Sequence, residues 1–434
     1  MKRRPEKTKT DYGYTDVVIT GGGASALAAA VMIRMSDPEI SVTVLEKNSE
    51  PARKIRATGS GRCNITNTAA EGYLDIMKFF TRIGLVTRTY ENGLVYPYSE
   101  SAADVADLLI RRALDLGTVI LTDAEVTDIR CTEEKQGREE AGCGRFETVF
   151  KGGCIKSDHV ILACGGKAGP MFGTTGDGYR LARELGHSIV TPVPVLTSAE
   201  CREWSSGHEP CAVRLAGTRS RCVVTLMRKA SPEADYGSEE IFREAGEIQF
   251  TKTGISGICV FNMTRYMRFD RSRGESLADF TVLTDLYPDG DIRDFLRDRR
   301  ENALPGETGA DVLCTVLKDN IAAYVMDTVS ASGSRAGEKP VSELTDGDIE
   351  AIGNAVHCMS FHPERLRGWK DAQATSGGVS LDEIDPDTCE SRIVRGLYIT
   401  GELADRDFPC GGFNLSNAWV SGLAAARSIV SRSE

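Results

Sequence analysis

Short apolar runs alternate with alanine-rich segments near the start of the chain. A β-branched run over 17–20 is bounded by glycines and predicts a buried strand. Residues 24–35 favour a helix, and residues 41–46 predict a second strand. Further elements are expected nearby, namely strands over 116–121, 125–130 and 159–163 and a helix over 176–185. This order of elements indicates a doubly wound α/β domain.

The apolar pattern changes after residues 192–194, Pro-Val-Pro, which we expect to break the chain. Short alternating runs over 195–250 lie between turn-forming residues and predict a small antiparallel β module. Helical spacing follows over 291–329 and again over 349–357. The middle of the chain therefore differs in texture from the α/β domain that precedes it.

The last part of the chain again shows the strand and helix pattern of the α/β domain. A return segment begins at Phe361, and glycine-punctuated strands follow Thr375. A final apolar helix is predicted over 415–430. We therefore predict that the middle of the chain is inserted into a domain built from both ends.

Composition excludes several classes of protein. The 434 residues are 41% apolar and 26% charged, as in ordinary soluble globular proteins of two or three domains. The net charge of -11 argues against a general nucleic-acid binder and against docking on an anionic membrane surface. We expect a small-molecule substrate, with neither nucleic acid nor membrane as a partner, while the oligomeric state stays open.

The reactive residue types do not form metal or disulfide patterns. Thirteen cysteines are scattered without a CxxC pair, which favours reduced thiols in the cytosol. Five histidines include no HExxH or His-x-His motif, so we expect no metal site. The basic, polar residues 1–10 predict a solvated tail, and the apolar run 26–33 is too short to span a bilayer. These features predict a cytoplasmic location.

A dinucleotide fingerprint follows the first predicted strand. Gly21-x-Gly23-x-x-Ala26 provides a tight turn, close backbone approach for a pyrophosphate, and a small residue for helix packing. The helix start supplies free N–H groups and partial positive charge. Glu46, at the end of the second strand, can accept hydrogen bonds from ribose hydroxyls. The alternative is a glycine-rich turn in an α/β fold that binds no nucleotide.

Four other segments have the composition of cofactor loops. Residues 47–67 are rich in glycine, basic and amide side chains, which suits contacts to phosphate and ring edges, although a solvated loop is the alternative. Residues 163–166 and 173–178 are small-residue turns, which ordinary capping also explains. Residues 411–414 open the last helix after Gly401-Glu402, so its N–H groups could face charge on a ring.

At these motifs the chain resembles the BaiN-type NAD(P)/FAD-dependent oxidoreductases, also called aminoacetone oxidase family FAD-binding enzymes. The resemblance depends on residues 18–24, 54–67, 250–257, 374–379 and 396–419 and extends over nearly the whole chain. It implies FAD in a glutathione-reductase-like Rossmann fold, split by an inserted β-barrel-like module with a small helical subdomain. The implied boundaries are a tail over 1–13, the FAD domain over 14–193 and 360–434, the β module over 194–285 and 335–359, and the helical subdomain over 286–334.

The motifs and the family resemblance together predict a set of FAD-binding residues. Val126 enters this set as a backbone partner for adenine, and Ser25 departs from the family by placing a hydroxyl near the phosphates. The complete set is Gly21, Gly23, Ala24, Ser25, Ala26, Glu46, Lys47, Arg53, Lys54, Gly61, Arg62, Cys63, Asn64, Val126, Ala163, Gly165, Gly401, Glu402, Gly412, Phe413, Asn414 and Leu415.

No side-chain constellation in the sequence identifies a catalytic residue. Cys63 lacks a CxxC partner, which favours a structural or flavin-proximal role, and Tyr96 and Tyr98 favour packing. The resemblance implies reduction of an activated C=C bond, such as a steroid or bile-acid enone, with NADH or NADPH as transient donor. The alternatives are an amine or aminoketone oxidase that uses oxygen, and a flavin-binding interaction protein without turnover.

Overall fold

A computed structural model describes residues 10–132, 145–229, 237–269 and 275–433 of the chain. Its strands are β1 (Thr10–Thr20), β2 (Val42–Leu45), β3 (Thr66–Asn67), β4 (Thr87–Thr89), β5 (Leu94–Pro97), β6 (Val119–Leu121), β7 (Val126–Cys131), β8 (Phe146–Phe150), β9 (Gly153–Leu162), β10 (Ile189–Val195), β11 (Ala199–Cys201), β12 (Arg219–Lys229), β13 (Ser238–Phe250), β14 (Gly254–Ser256), β15 (Phe280–Asp285), β16 (Met359–Phe361), β17 (Pro363–Leu366), β18 (Ala374–Val379) and β19 (Leu397–Ile399).

Helices connect most of these strands. They are α1 (Ala24–Ser36), α2 (Arg53–Ala57), α3 (Tyr73–Arg82), α4 (Ala102–Asp115), α5 (Asp177–Glu184), α6 (Ile258–Thr264), α7 (Ile292–Glu301), α8 (Gly309–Cys314), α9 (Asp319–Ala331), α10 (Asp346–His357) and α11 (Phe413–Ser433). The chain divides into two compact units, one formed by 1–194 with 373–434 and the other by 195–372.

The first unit is built on a sheet in which β6, β2, β1 and β9 run parallel. The second half of β9 pairs in parallel with β19 from the far end of the chain, and its first half pairs antiparallel with β8. Central strands are buried on both faces, as their continuous apolar runs require. Helices α1 and α11 pack against each other beside this sheet. The doubly wound Rossmann architecture predicted from both chain ends is therefore confirmed.

The second unit contains an antiparallel sheet in the order β16-β15-β12-β13-β14-β11-β17. Its apolar face packs with α9 and α10 around a core that includes Phe250, Phe361 and Ile321. Among the described residues no backbone pairing joins β16 to β17, so the sheet is open. The antiparallel module is present, but a barrel-like closure is not confirmed.

Several boundaries differ from those expected. Residues 10–13 belong to β1, in which Thr10 and Asp11 pair with β9, so they are strand rather than tail. Residues 192–194 do not interrupt the chain but lie within β10, which pairs with β18 as a two-stranded ribbon that tolerates proline. Residues 360–372 belong to the inserted unit because β17 pairs with β11. The predicted helical segment 291–329 consists of three helices, α7 to α9.

Within the described part of the chain, we find no helix that is both long and apolar enough to cross a membrane.

Candidate functional site

The turn between β1 and α1 depends on three consecutive glycines with different roles. Gly21 has φ +95°, and a Cβ added there would lie 2.6 Å from the carbonyl oxygen of Ala163. A Cβ at Gly22 would lie 2.7 Å from Cβ of Pro51. A Cβ at Gly23 would meet no protein atom within 4 Å. The first two glycines are therefore required by the protein itself, whereas the third faces open space.

The start of α1 is suited to bind an anion. Gly23 is the N-cap residue, and no side chain caps the helix. The first-turn N–H groups of a helix have no intrahelical acceptor and carry partial positive charge. Ala26 is fully buried, which lets the helix pack closely on the sheet. An uncapped helix start beside an open glycine fits the pyrophosphate of a dinucleotide.

Glu46 is buried directly beside this turn. Its Oε2 accepts the N–H of Gly22 at 2.7 Å, and its Oε1 accepts the backbone N–H of Asn48 at 2.8 Å. The N–H of Ala124 also donates to the backbone oxygen of Glu46, which brings the loop before Val126 against the acid. A carboxylate has about four lone-pair sites, so Glu46 keeps acceptor capacity for ribose hydroxyls.

The predicted basic loop after Glu46 is partly helical, because α2 lies within it. Lys47 donates to the hydroxyl of Thr175 at 2.7 Å and pairs with the carboxylate of Asp177. Arg53 donates to Oδ1 of Asn48 and to the carbonyl oxygen of Met171. These two cations therefore connect the loop after Glu46 to the segment before α5. The contact gives the basic and polar residues of both segments a structural role.

Residues 58–67 continue into a tight, strained turn. Cys63 adopts φ +58° and is fully buried. Asn64 is buried as well, and its Oδ1 has no hydrogen-bond partner among the described residues. A buried amide oxygen without a partner normally has a ligand or water contact. The ring of Tyr96 packs under the guanidinium of Arg62 at 4.9 Å, so this tyrosine has a packing role.

The two ends of the chain are joined directly at this turn. The hydroxyls of Thr66 and Ser416 lie 2.7 Å apart, and Nε1 of Trp419 donates to the carbonyl oxygen of Ile65 at 2.9 Å. A Cβ at Gly412, where φ is +96°, would lie 2.8 Å from the backbone of Thr66. Residues separated by about 350 positions therefore form one wall of the candidate site.

A second junction involves Lys54 and Glu402. Nζ of Lys54 lies 2.5 Å from Oε2 of Glu402, and Oε1 of Glu402 accepts the backbone N–H of Thr375 at 2.6 Å. The hydroxyl of Thr375 in turn accepts the N–H groups of Lys167 and Ala168. This network connects α2, β18 and the turn after β9 at one edge of the sheet.

Some of the remaining predicted residues contact other parts of the protein, whereas others have space or exposure for a ligand. Nδ2 of Asn414 donates to the carbonyl oxygen of Phe408, so this side chain holds the preceding loop against the start of α11. The hydroxyl of Ser25 accepts a hydrogen bond from Thr400 and lies beside Gly401 rather than at the open side of Gly23. The positions with room beside the backbone or partial exposure are Gly61, Gly165, Phe413 and Leu415.

Three supporting residues were missed by sequence reasoning, namely Thr375, Ser416 and Trp419. Thr375 lies in the Ala-Thr-Ser-Gly-Gly run that carried part of the family resemblance, so that run was an available signal. Ser416 and Trp419 lie one helical turn apart on α11. An amphipathic helix contains many such positions, and periodicity alone does not distinguish them.

Thiol and metal chemistry gain no support from the geometry. Burial raises the pKa of Cys63 to about 11, and burial likewise raises the pKa of Cys164 to about 11. Both groups are therefore protonated thiols at neutral pH rather than nucleophilic thiolates. The described residues contain no cluster of three or more histidine, cysteine or carboxylate ligands.

Comparison with known proteins identifies relatives along nearly the full chain. A family model described as "HI0933-like protein Rossmann domain" matches residues 72–428. The 3-dehydro-bile acid delta(4,6)-reductase of Clostridium scindens is 31% identical over 435 aligned residues, covering 95% of this chain and 98% of that protein.

Two further relatives have a different described activity. The ribosomal RNA dihydrouridine synthase of Escherichia coli is 25% identical, covering 96% of this chain and 98% of that protein. The enzyme of the same description from Haemophilus influenzae is 26% identical with the same coverage. These alignments span both units of the present chain.

Proposed function

Because this chain belongs to the HI0933-like Rossmann-domain family of FAD-binding oxidoreductases, we propose that it reduces a C=C bond conjugated to a carbonyl group. NADH or NADPH serves as the transient electron donor, and a steroid or bile-acid enone is the preferred substrate class. The observation that carries the proposal is the 31% identity to a bile-acid reductase over 95% of the chain.

FAD, when bound, supplies a hydride at its N5 position. The open side of Gly23 and the start of α1 would hold the pyrophosphate, and Glu46 would accept hydrogen bonds from the ribose. The turn at Asn64 and the start of α11 lie against each other, and their polar backbone and amide groups would hold the ring end. Lys54 and Glu402 neutralise each other beside this turn.

The protonation state of Cys63 favours hydride chemistry over covalent chemistry. Cys63 is neutral at physiological pH because burial raises its pKa, so it does not compete as a nucleophile. The chain therefore binds and orients the reactants while the cofactor carries the redox step. The hydride adds to one carbon of the C=C bond and a proton from water adds to the other, which gives the saturated carbonyl compound.

A ribosomal RNA uridine is the second candidate substrate, because two relatives are described as rRNA dihydrouridine synthases. The C5=C6 bond of uracil is also conjugated to a carbonyl, so the same hydride addition applies to it. The net charge of -11 disfavours this candidate, since RNA-binding proteins generally have basic surfaces.

The decisive experiment is an anaerobic stopped-flow screen. The purified protein should be yellow, and NADH or NADPH should bleach the flavin absorbance. A 3-oxo steroid with Δ4 or Δ4,6 unsaturation should then restore the absorbance faster than uridine-containing rRNA fragments do. Selective reoxidation by rRNA would replace the steroid proposal, and rapid peroxide formation with aminoacetone would replace it with the oxidase.

Cofactor binding is tested separately from substrate choice. Glu46→Ala should lose most bound FAD, whereas Glu50→Ala should keep it, because Glu50 is an exposed acid a few residues away. A colourless wild-type protein that does not bind added FAD would refute the cofactor assignment. A yellow protein that no nicotinamide reduces would instead refute the donor assignment and favour the interaction protein.

A further inference from the structure

The inserted unit contains a cavity of about 240 Å³, which no part of the proposed flavin chemistry uses. It lies where β11 ends and where β16 passes into β17, and residues of α9 and α10 complete its wall. The N–H of Arg202 donates to the carbonyl oxygen of His362 at 3.0 Å, which holds the two strand ends together. Met359 supplies part of the apolar lining.

An acid–imidazole pair, with a buried carboxylate and a partly exposed imidazole, lines this cavity. The side chain of Glu203 is 4% exposed. Its Oε1 lies 2.6 Å from Nδ1 of His362, and its Oε2 accepts the backbone N–H of the same residue at 3.1 Å. The carboxylate therefore has both oxygens engaged, and the pair fixes the imidazole with Nε2 as its remaining polar atom.

The other polar side chains of the cavity have capacity left for a ligand. Tyr324 is 4% exposed, and its hydroxyl makes no hydrogen bond to any described residue. Burial raises its pKa well above the usual range, so the hydroxyl stays protonated and can donate. Arg202 lines the cavity as an exposed residue and has no ion-pair partner in the described ranges of the chain, and the ring of His208 has no hydrogen-bond partner there either.

We propose that this cavity is a second binding site of the protein, specific for a small carboxylate. The guanidinium of Arg202 pairs with the carboxylate, and the hydroxyl of Tyr324 donates to it. The two hydrogen bonds from His362 hold the Glu203 carboxylate in place, and the guanidinium of Arg202 and the hydroxyl of Tyr324 remain as donors for a ligand. A planar guanidinium matches a carboxylate in two-point geometry, which favours it over a tetrahedral anion. The volume admits a short chain or single ring as the body of the ligand.

The test is a binding titration on the full-length, FAD-loaded protein. Acetate, butyrate and benzoate are titrated by calorimetry, and inorganic phosphate and butyramide serve as comparison ligands. We expect saturable binding of at least one carboxylate with a Kd at or below about 1 mM, and no binding of butyramide. Phosphate that binds as tightly as the carboxylates would overturn the assignment of ligand class.

Variants locate the binding event within the protein. Arg202→Gln and Tyr324→Phe should each weaken the carboxylate Kd at least tenfold, a change of about 1.4 kcal/mol. Arg219→Gln should leave it unchanged, because Arg219 is an exposed residue of β12 paired with Glu247 outside the cavity. Circular dichroism confirms that each variant is folded. Equal binding by wild type and Arg202→Gln, or no saturable binding by wild type, would refute the site.

Discussion

The glycine turn after β1 allows stability and cofactor binding to be separated by single methyl groups. Gly21 has φ +95°, and an added Cβ would lie 2.6 Å from the backbone oxygen of Ala163. A side chain in left-handed backbone costs about 1–2 kcal/mol, and a contact this short forces the backbone to move. We therefore expect Gly21→Ala to lower the free energy of unfolding by about 3 kcal/mol or more.

Gly23→Ala makes the matched comparison. Its φ is -84°, and the added methyl group meets no protein atom within 4 Å. Alanine is a poorer N-cap than glycine, but it also restricts the unfolded chain, and each effect is about 0.5–1 kcal/mol. Because the two effects oppose each other, the free energy of unfolding of the apoprotein should change by less than about 1 kcal/mol.

Gly23→Ala should weaken FAD binding although it leaves the stability of the apoprotein nearly unchanged. The methyl group of Gly23→Ala occupies the space that the pyrophosphate needs, so FAD should bind at least about tenfold more weakly, or about 1.4 kcal/mol. Urea unfolding of the apoproteins and flavin-fluorescence titration of FAD measure the two quantities. Unaltered FAD affinity in the Gly23→Ala protein would refute the assignment of this open side to the cofactor.

Three further predictions concern the walls of the same site. Glu46→Gln should weaken FAD binding by about 1–3 kcal/mol, measured by fluorescence titration, because the amide replaces one acceptor oxygen by a donor facing an N–H group. Thr66→Val and Ser416→Ala should couple by about 0.5–1.5 kcal/mol in a double-mutant cycle of unfolding free energies, since their hydroxyls lie 2.7 Å apart. Burial raises the pKa of the Cys63 thiol to about 11, so its contribution to stability is present below the usual thiol pKa and is lost as the pH rises toward 11. Cys63→Ala should therefore reduce the fall of the unfolding free energy with pH in this range.

Each of these predictions has an outcome that would contradict it. Unaltered FAD affinity in Glu46→Gln would mean that the acid serves the turn alone. Additive effects at Thr66 and Ser416 would mean that the contact between the chain ends contributes no free energy. Rapid alkylation of Cys63 by iodoacetamide at pH 8 in the native protein, detected by peptide mass spectrometry, would contradict its burial as a neutral thiol.

Local sequence patterns identified the first βαβ unit and the last helix. The helix from Ala24 and the strand ending before Glu46 are present within one residue, and the strand over 17–20 is the end of β1, which begins earlier, at Thr10. Their periods and glycines have local causes, so a short stretch of chain is enough to specify them. The same approach misplaced the tail at 10–13, because strand pairing with β9 involves residues far away in the sequence.

The connection between the chain ends was expected from the sequence in outline but not in contacts. Motifs at 21–26 and 411–414 indicated one cofactor held by both ends. They did not indicate that Trp419 donates to Ile65 or that Thr375 organises the turn around Glu402. Serine, threonine and tryptophan occur in many helices and strands for packing alone, so their roles depend on which element lies opposite.

The sequence by itself determined that this chain forms a Rossmann-type domain with an anion-binding helix start, since glycine conformation and helix polarity are local properties. Only the tertiary structure decided which glycine faces open space, which acid oxygens are already engaged, and where a buried amide such as Asn64 lacks a partner. It also revealed the Glu203–His362 cavity, whose residues come from four separate elements. Such sites depend on distances between segments far apart in the chain, which the packing of the whole core sets and no local pattern encodes.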